Sequence, residues 1–517
     1  MSTSKKTKSQ KSTRHLTLFQ RIITIIFFIV FLITLIIVLC FSWLPYGRGQ
    51  DLILPNIISL MISLAIGLLF MFLFKKLDIS KKRFILIVAI SFSVLYAVQL
   101  FILFFTYFKT GWDAGTVNMF ADDVAKYGKF SYAGTNEYLT LYPNNTLIVT
   151  LLSLIKKIPF FGSKYFTIVA INALLVNLAG VFTCLITEKL LSRKAAVFSI
   201  FIITPLILLS PWNIVPYSDT FAILIPVLTF YIYISSKGWW KYGVIIFLSI
   251  IGYFIKPTAI IMLIAILITE AFKHKWRKPT LSKDFWLNAL SIFSAIIFAF
   301  LIKYASLSYI GYHPIQGIQS AGFIHYLAMG QNDKNFGRYL NDDVLEMQEG
   351  TKYELHKFIN RITSRSFGGQ IEFFTKKLLV NYNDGMFAWG GEGNFYNQVP
   401  ERDNPISNFL TSIFYTTGDN YAYYAQFAQI IWIFVLFGCI FMVRKKQSTN
   451  ETVLELALIG VFMFVMLFEA RARYLFCYTP IFVITSMVGY RYLYHSLSHR
   501  ILKLRKTNQL SRKSTSD

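Results

Sequence analysis

The chain has 517 residues, 55% of them apolar, with 50 Phe, a mean hydropathy of +0.52 and a net charge of +25. Its apolar residues come in blocks of roughly 20, the length that carries a helix across about 30 Å of hydrocarbon, which excludes a soluble domain. Cys40, Cys184, Cys439 and Cys477 all fall inside apolar blocks without disulfide or metal spacing and read as small core residues.

Residues 1–18 are polar, basic and Ser/Thr/Lys-rich with no cleavage site, the composition of a disordered cytoplasmic tail. Twelve candidate spans follow: 19–43, 52–74, 84–107, 164–188, 195–212, 219–236, 241–256, 257–273, 285–303, 424–443, 452–470 and 474–494. Two places are ambiguous. Residues 143–158 are apolar but short, and 241–273 is either one tilted helix or two short ones broken at Lys256-Pro257, since proline disfavours the preceding helical turn.

The positive-inside rule separates the choices. With both basic termini cytoplasmic, 241–273 split and 143–158 lying along the membrane, 31 of the 51 Lys and Arg residues fall on the cytoplasmic side with 7 of the 26 acidic ones. The remaining 20 and 19 nearly cancel outside. The excess charge is then an orientation signal and a contact for anionic lipid, which removes nucleic acid as a partner. The resulting organisation is an all-α polytopic membrane protein. It comprises the tail 1–18, a transmembrane module 19–303 with an outer loop at 108–163, an extracytoplasmic domain 304–423, C-terminal helices 424–494 and a basic cytoplasmic tail 495–517.

In the outer loop, Val117, Phe120, Ala121, Val124 and Tyr127 recur at helical spacing. They predict an amphipathic helix on the outer leaflet with Asp113 at its N-cap and Gly128 past its end. Asp122 and Asp123 point off the apolar stripe and read as a solvated face, and Glu137 takes no role. Asp113 is both a cap and a candidate site residue; the two are compatible. Asp219, in SPWNIVPYSDTF, starts a later helix and is again either an N-cap or functional. Two isolated carboxylates at membrane level on one side are unusual, because ionisable groups there are paired or functional. Lys256 interrupts a long uncharged run, and Arg471 and Arg473 flank the last span beside Glu469. Each is a snorkelling anchor or a partner for a lipid phosphate. NDGMFAWGGEGNF, with Asp384 and Glu392, is a substrate loop or a Gly-rich turn with an aromatic anchor, and its glycines lack the strand–helix context of a nucleotide motif. His313, His325 and His356 have no zinc-type spacing and read as structural.

Taken together, these stretches resemble the GT-C superfamily of polytopic glycosyltransferases that use polyprenyl-phosphate-linked sugars, such as the protein O-mannosyltransferases and the lipid A aminoarabinose transferases. Trp112-Asp113 resembles the first acid of that family, Tyr142-Pro143-Asn144-Asn145 its turn, Tyr217-Ser218-Asp219 its second acid, Lys256-Pro257 its lysine, and Arg473-Tyr474 with Pro480 its late motif. Three spans precede the acidic loop where many relatives have one, and the usual acid pair is a single Asp followed by Ala. The segments HYLAMGQN and NDGMFAWGGEGNF resemble a group of uncharacterised Gram-positive integral membrane proteins. The resemblance implies a GT-C-like fold with juxtamembrane helices in the outer loop, in the cell membrane, and an extracytoplasmic active site. It implies a polyprenyl-phosphate sugar as donor and an extracytoplasmic hydroxyl on a wall polymer, glycolipid or protein as acceptor. Asp113 would be the general base and Asp219 an orienting acid. Lys256, Arg473, Tyr142, Asn144, Asp384 and Glu392 would contact substrate, with no nucleotide or redox cofactor and a divalent metal left open. A lipid-linked saccharide transporter or flippase, or a polysaccharide polymerase, is the alternative.

Overall fold

The computed structural model describes residues 3–42, 52–75, 78–130, 135–158, 164–273, 282–391, 404–443 and 448–514. In chain order its helices are α1 Thr3–Cys40, α2 Asn56–Lys75, α3 Lys81–Thr106, α4 Trp112–Tyr127, α5 Thr135–Leu141, α6 Thr146–Lys156, α7 Lys164–Leu190, α8 Arg193–Ile203, α9 Ser218–Ala222, α10 Leu224–Ser235 and α11 Lys241–Ile255. There follow α12 Ile261–Lys273, α13 Lys283–Ile310, α14 Phe323–Met329, α15 Asn341–Glu346, α16 Thr351–Thr363, α17 Phe367–Tyr382, α18 Pro405–Phe414, α19 Tyr421–Cys439, α20 Thr449–Leu467, α21 Arg473–Phe476 and α22 Thr479–Ser514. No strand occurs among the described residues.

Among those residues, seven helices are long and apolar enough to cross a membrane: Leu18–Cys40, Lys81–Thr106, Lys164–Leu190, Ser218–Ser235, Lys283–Ile310, Tyr421–Met442 and Thr449–Leu467. Two other apolar blocks are broken, each for a chemical reason. The block 195–212 runs from α8 into a π turn at Thr204–Leu208 and a 3-10 turn at Pro211–Ile214, because Pro205 has no N–H to continue the ladder. The freed carbonyls are recovered: Asn213 Nδ2 donates to Ile207 O and Leu208 O at 2.9 Å each, and Gln99 Nε2 to Leu208 O at 2.7 Å. Backbone at this depth persists only where such partners exist. Residues 241–273 are two helices, with Lys256 extended between them (φ −150°, ψ 116°), as a residue preceding proline should be. At 15 and 13 residues, α11 and α12 rise only about 22 and 20 Å.

The helices α7, α19 and α22 form the centre, with α1, α3, α8, α10 and α20 around them. Phe27 stacks there on Phe31, and Phe31 and Trp432 each meet Phe482 edge to face. By contrast α13 shows one long apolar face, including Trp286, Phe293, Phe298 and Leu301, to its surroundings; in an integral membrane protein that face meets lipid. α1 and α22 continue through the segments that composition assigns to tails, since no Pro or Gly interrupts either polar stretch and Lys, Arg, Gln and Leu are good helix formers.

The region 304–423 divides in two. α14–α16 make a small polar layer held by a buried network in which Asp343 accepts two bonds from Arg361 at 2.7 and 3.0 Å and pairs with Lys357 at 2.8 Å. His325 Nδ1 lies 2.9 Å from Glu354 in the same layer. α17 and the turn after it enter the bundle instead, where Met386, Phe387 and Trp389 are buried. Trp212 Nε1 donates to Met386 O at 3.0 Å and Trp389 Nε1 to Phe414 O at 3.0 Å.

Candidate functional site

α4 sets one wall of the site. Gly128 closes it in the left-handed region at φ 70°, donating to Val124 O, as the spacing predicts. At its start the expectation fails. The N-cap is Gly111, Trp112 holds a positive φ of 63°, and Asp113 stands inside the first turn. A non-glycine residue at positive φ stores roughly 1–3 kcal/mol and persists where its surroundings fix it. The helix also runs beneath other chain rather than across an open leaflet. Val117, Phe120, Ala121 and Val124 are fully enclosed against α6, whose 11 residues rise about 16 Å, too short to cross. Asp122 is not simply solvated: it pairs at 2.5 Å with the buried Lys156, which also donates to Asn118 O.

Freed from capping, Asp113 accepts a hydrogen bond from Tyr138 Oη at 3.0 Å. Tyr138 Oη in turn accepts from Asn145 Nδ2 at 3.0 Å, and Tyr217 Oη donates to Asn145 Oδ1 at 3.1 Å. This chain ties α4, α5, the Tyr142–Asn145 turn and the loop before α9 together. Burial, and then the charge of Tyr217 and Asp113, holds the Tyr138 phenol well above its ordinary range, so it stays a donor.

Asp219 is not a cap either. Tyr217 is the N-cap of α9, and Asp219 is a buried carboxylate bonded by Lys256 Nζ and, at 3.1 Å, by Arg473 Nη1. All three are at most 5% exposed. Lys256 reaches it from the break between α11 and α12, Arg473 from the first residue of α21. The Arg473 guanidinium lies 4.3 Å from the Trp112 ring centroid, and Trp112 and Tyr217 rings are 5.5 Å apart. Lys256 faces the Tyr474 ring at 4.2 Å. Beside them Glu469 accepts from Arg471 Nε and from Tyr474 Oη, each at 2.7 Å.

Asp113, Asp219, Lys256 and Arg473, from four separated stretches, are therefore neighbours in one cluster. Two cations on one carboxylate leave that cluster one positive charge in excess, beside a second carboxylate that holds only a phenol bond among the described residues. Such an arrangement can hold an anion and accept a proton a short distance away. Tyr142 joins it, its ring 5.2 Å from Tyr138 and its phenol pushed up by burial and then by Tyr339 and Asp113. Asn144 bonds Asn145 at 3.3 Å. Asp384 acts locally instead. Its two oxygens accept from Met386 N at 2.8 Å and Ala388 N at 2.7 Å, folding a turn with Phe387 and Ala388 at positive φ. Glu392 lies outside the described residues. Among the described residues no three His, Cys, Asp or Glu side chains gather in a way that could hold a metal ion.

Sequence reasoning passed over Tyr138, took Asn145 only as part of the turn, and gave Trp112 no role of its own. Their signal was slight: an aromatic at the end of an acidic loop and the second Asn of PNN. It left Arg471, beside Glu469, as a snorkelling anchor or a partner for a lipid phosphate, where the structure pairs the two residues with each other. No curated protein matches the chain. Residues 15–492, nearly its whole length, match the family described as conserved hypothetical integral membrane protein, and the chain belongs to that family.

Proposed function

We propose that the protein is a membrane glycosyltransferase of GT-C type, moving a sugar from a polyprenyl-phosphate donor to an extracytoplasmic hydroxyl of a wall polymer, glycolipid or protein. The observation that supports it is the meeting of Asp113 with the Asp219–Lys256–Arg473 cluster. In this reading the acceptor hydroxyl attacks the anomeric carbon while its proton passes to Asp113. The bond to the phosphate oxygen breaks and the electron pair leaves with the lipid phosphate, whose developing charge Lys256 and Arg473 stabilise. Asp219 is a positioning residue: it keeps both cations in one place and deprotonates nothing. Direct displacement with one base implies inversion.

The test uses Asp113→Asn, checked for folding and insertion, then assayed in membranes with radiolabelled polyprenyl-phosphate sugars. Loss of transfer is expected; full transfer by the Asn variant would overturn the assignment of the base. A carrier of lipid-linked saccharide is the second reading, favoured by the half-helices α11 and α12 with Lys256 at their break, since broken helices also mark transporter sites. Translocation of the lipid without transfer by wild type would select it. The orientation belongs to the same proposal: twelve crossings with both termini cytoplasmic and the cluster outside. A cysteine at Ser192, the exposed N-cap of α8, is then labelled from the cytoplasmic side alone.

A further inference from the structure

Besides Lys156, another buried lysine among the described residues lies outside this cluster and is used by none of its chemistry. Lys377, on α17, is fully enclosed. Its Nζ donates to Gly330 O, and to Phe468 O at 2.7 Å. The first acceptor belongs to the loop 330–339; the second is an end carbonyl of α20, where a cation also suits the helix dipole. The same two segments touch again without the lysine. Ala470 N donates to Gly337 O at 2.7 Å and Gln331 Nε2 to Leu467 O at 3.3 Å.

Two glycines permit this approach. A Cβ at Gly330 would meet the Phe468 carbonyl at 2.4 Å, and one at Gly337, where φ is 81°, would meet Gly330 O at 2.4 Å and Lys377 Nζ at 2.9 Å. The loop is braced from its far side by Arg365, which bonds Gln331 O and, at 2.6 Å, Asp333 Oδ1.

What the clamp joins is the site itself. The turn between α20 and α21 carries Glu469 and Arg471 and leads into Arg473, the first residue of α21. The loop carries Tyr339, whose ring lies 5.9 Å from the Arg471 guanidinium and whose phenol is raised by burial and then by the Asp113 carboxylate. We infer that Lys377 is a positioning residue of the site, clamping the 330–339 loop onto the α20–α21 turn so that Tyr339, Glu469, Arg471 and Arg473 face Asp113 as one unit. The inference concerns the same site as the proposed transfer, but its test reads geometry and stands whether or not sugar is moved.

The clamp carries a pH signature. Burial and then Arg365 lower Lys377 to about 7, against a pull upward from Glu469. The other charges near it are Lys376, paired on the same helix with Glu372, and Asp333, paired with Arg365. A lysine lowered in the clamped form and ordinary when released binds its proton more tightly on release. Clamping therefore strengthens as pH rises above about 7 and is weakest where the amine is charged.

Amide hydrogen exchange of the full-length protein in detergent, corrected for intrinsic rates, tests this. In wild type, protection of 330–340 and 467–473 should rise about 25-fold from pH 6.5 to 8.5. In Lys377→Met it should lose that pH dependence and, at pH 8.5, fall at least about tenfold below wild type, because two buried carbonyls lose their donor. Protection of α19 should be unchanged. Gly330→Ala, which keeps the lysine but sets a Cβ 2.4 Å from the Phe468 carbonyl, should loosen the same two segments. Undiminished protection in either variant overturns the inference. So does an equal loss across α19, which would make Lys377 a general support of the fold.

Discussion

Asp219→Asn is the sharpest test of how the cluster is held. It keeps the shape of the side chain and removes the single negative charge between Lys256 and Arg473, both at most 5% exposed. At the 3.1 Å separation of Arg473 Nη1 and Asp219 Oδ2, and an effective dielectric of about 20, the attraction is roughly 5 kcal/mol before desolvation. Removing one partner of a buried pair costs about 3–5 kcal/mol, since the other charge is left without compensation. Here two cations lose it at once, so the upper end of that range is expected. Lys256→Met should cost less, because Asp219 and Arg473 then form a one-to-one pair. The double variant should be milder than the sum of the singles, with a coupling of about 1–3 kcal/mol. Thermal unfolding of the purified protein in detergent, followed by intrinsic fluorescence, reads all four forms. An Asp219→Asn protein within about 0.5 kcal/mol of wild type, or strictly additive singles, would refute the view that one carboxylate holds both cations.

Three further outcomes follow from the geometry. Gly115→Ala should disturb the start of α4 severely, since its Cβ would stand 2.1 Å from Thr110 O, whereas Gly128→Ala, at φ 70° with open space, should cost only about 1 kcal/mol; the same unfolding measurement ranks them. Tyr138→Phe removes the donor to Asp113 and the acceptor for Asn145. It should cost about 1–2 kcal/mol of stability and, in the transfer assay, roughly ten- to a hundredfold in rate. Asp122→Asn strips the counter-ion from the buried Lys156, so it should destabilise more than Lys156→Met, and Asp122→Asn with Lys156→Met should recover part of the loss.

The long apolar blocks, the break before Pro257 and the helix between Trp112 and Gly128 were legible because each is a local pattern: twenty apolar residues, a proline, a 3.6-residue stripe. The four residues of the cluster were also legible as types, isolated charges beside apolar sequence. Their partners were not. Lys256 to Asp219 is a short hop in sequence, but Arg473 to Asp219 spans 254 positions, and no periodicity encodes that distance. The division of 304–423 was hidden for a related reason. Its Gly- and aromatic-rich turn reads as an interfacial loop until Trp212 and Gln429, from remote helices, are seen to bond its backbone.

Asp113 and Asp219 looked alike in the sequence, each at a helix start on a polar loop, where a carboxylate is most often a cap. In both cases a residue two positions earlier takes that place: Gly111 caps α4 and Tyr217 caps α9. A carboxylate released from its own helix is available to something else, and the two differ in what that is. Asp219 neutralises half of a buried pair of cations, so protonating it would set two positive charges against each other. Asp113 pairs with no cation among the described residues; it accepts one bond, from Tyr138. Of two similar carboxylates, one is therefore tied to two buried cations, and the other, bonded by a single phenol, stands beside them.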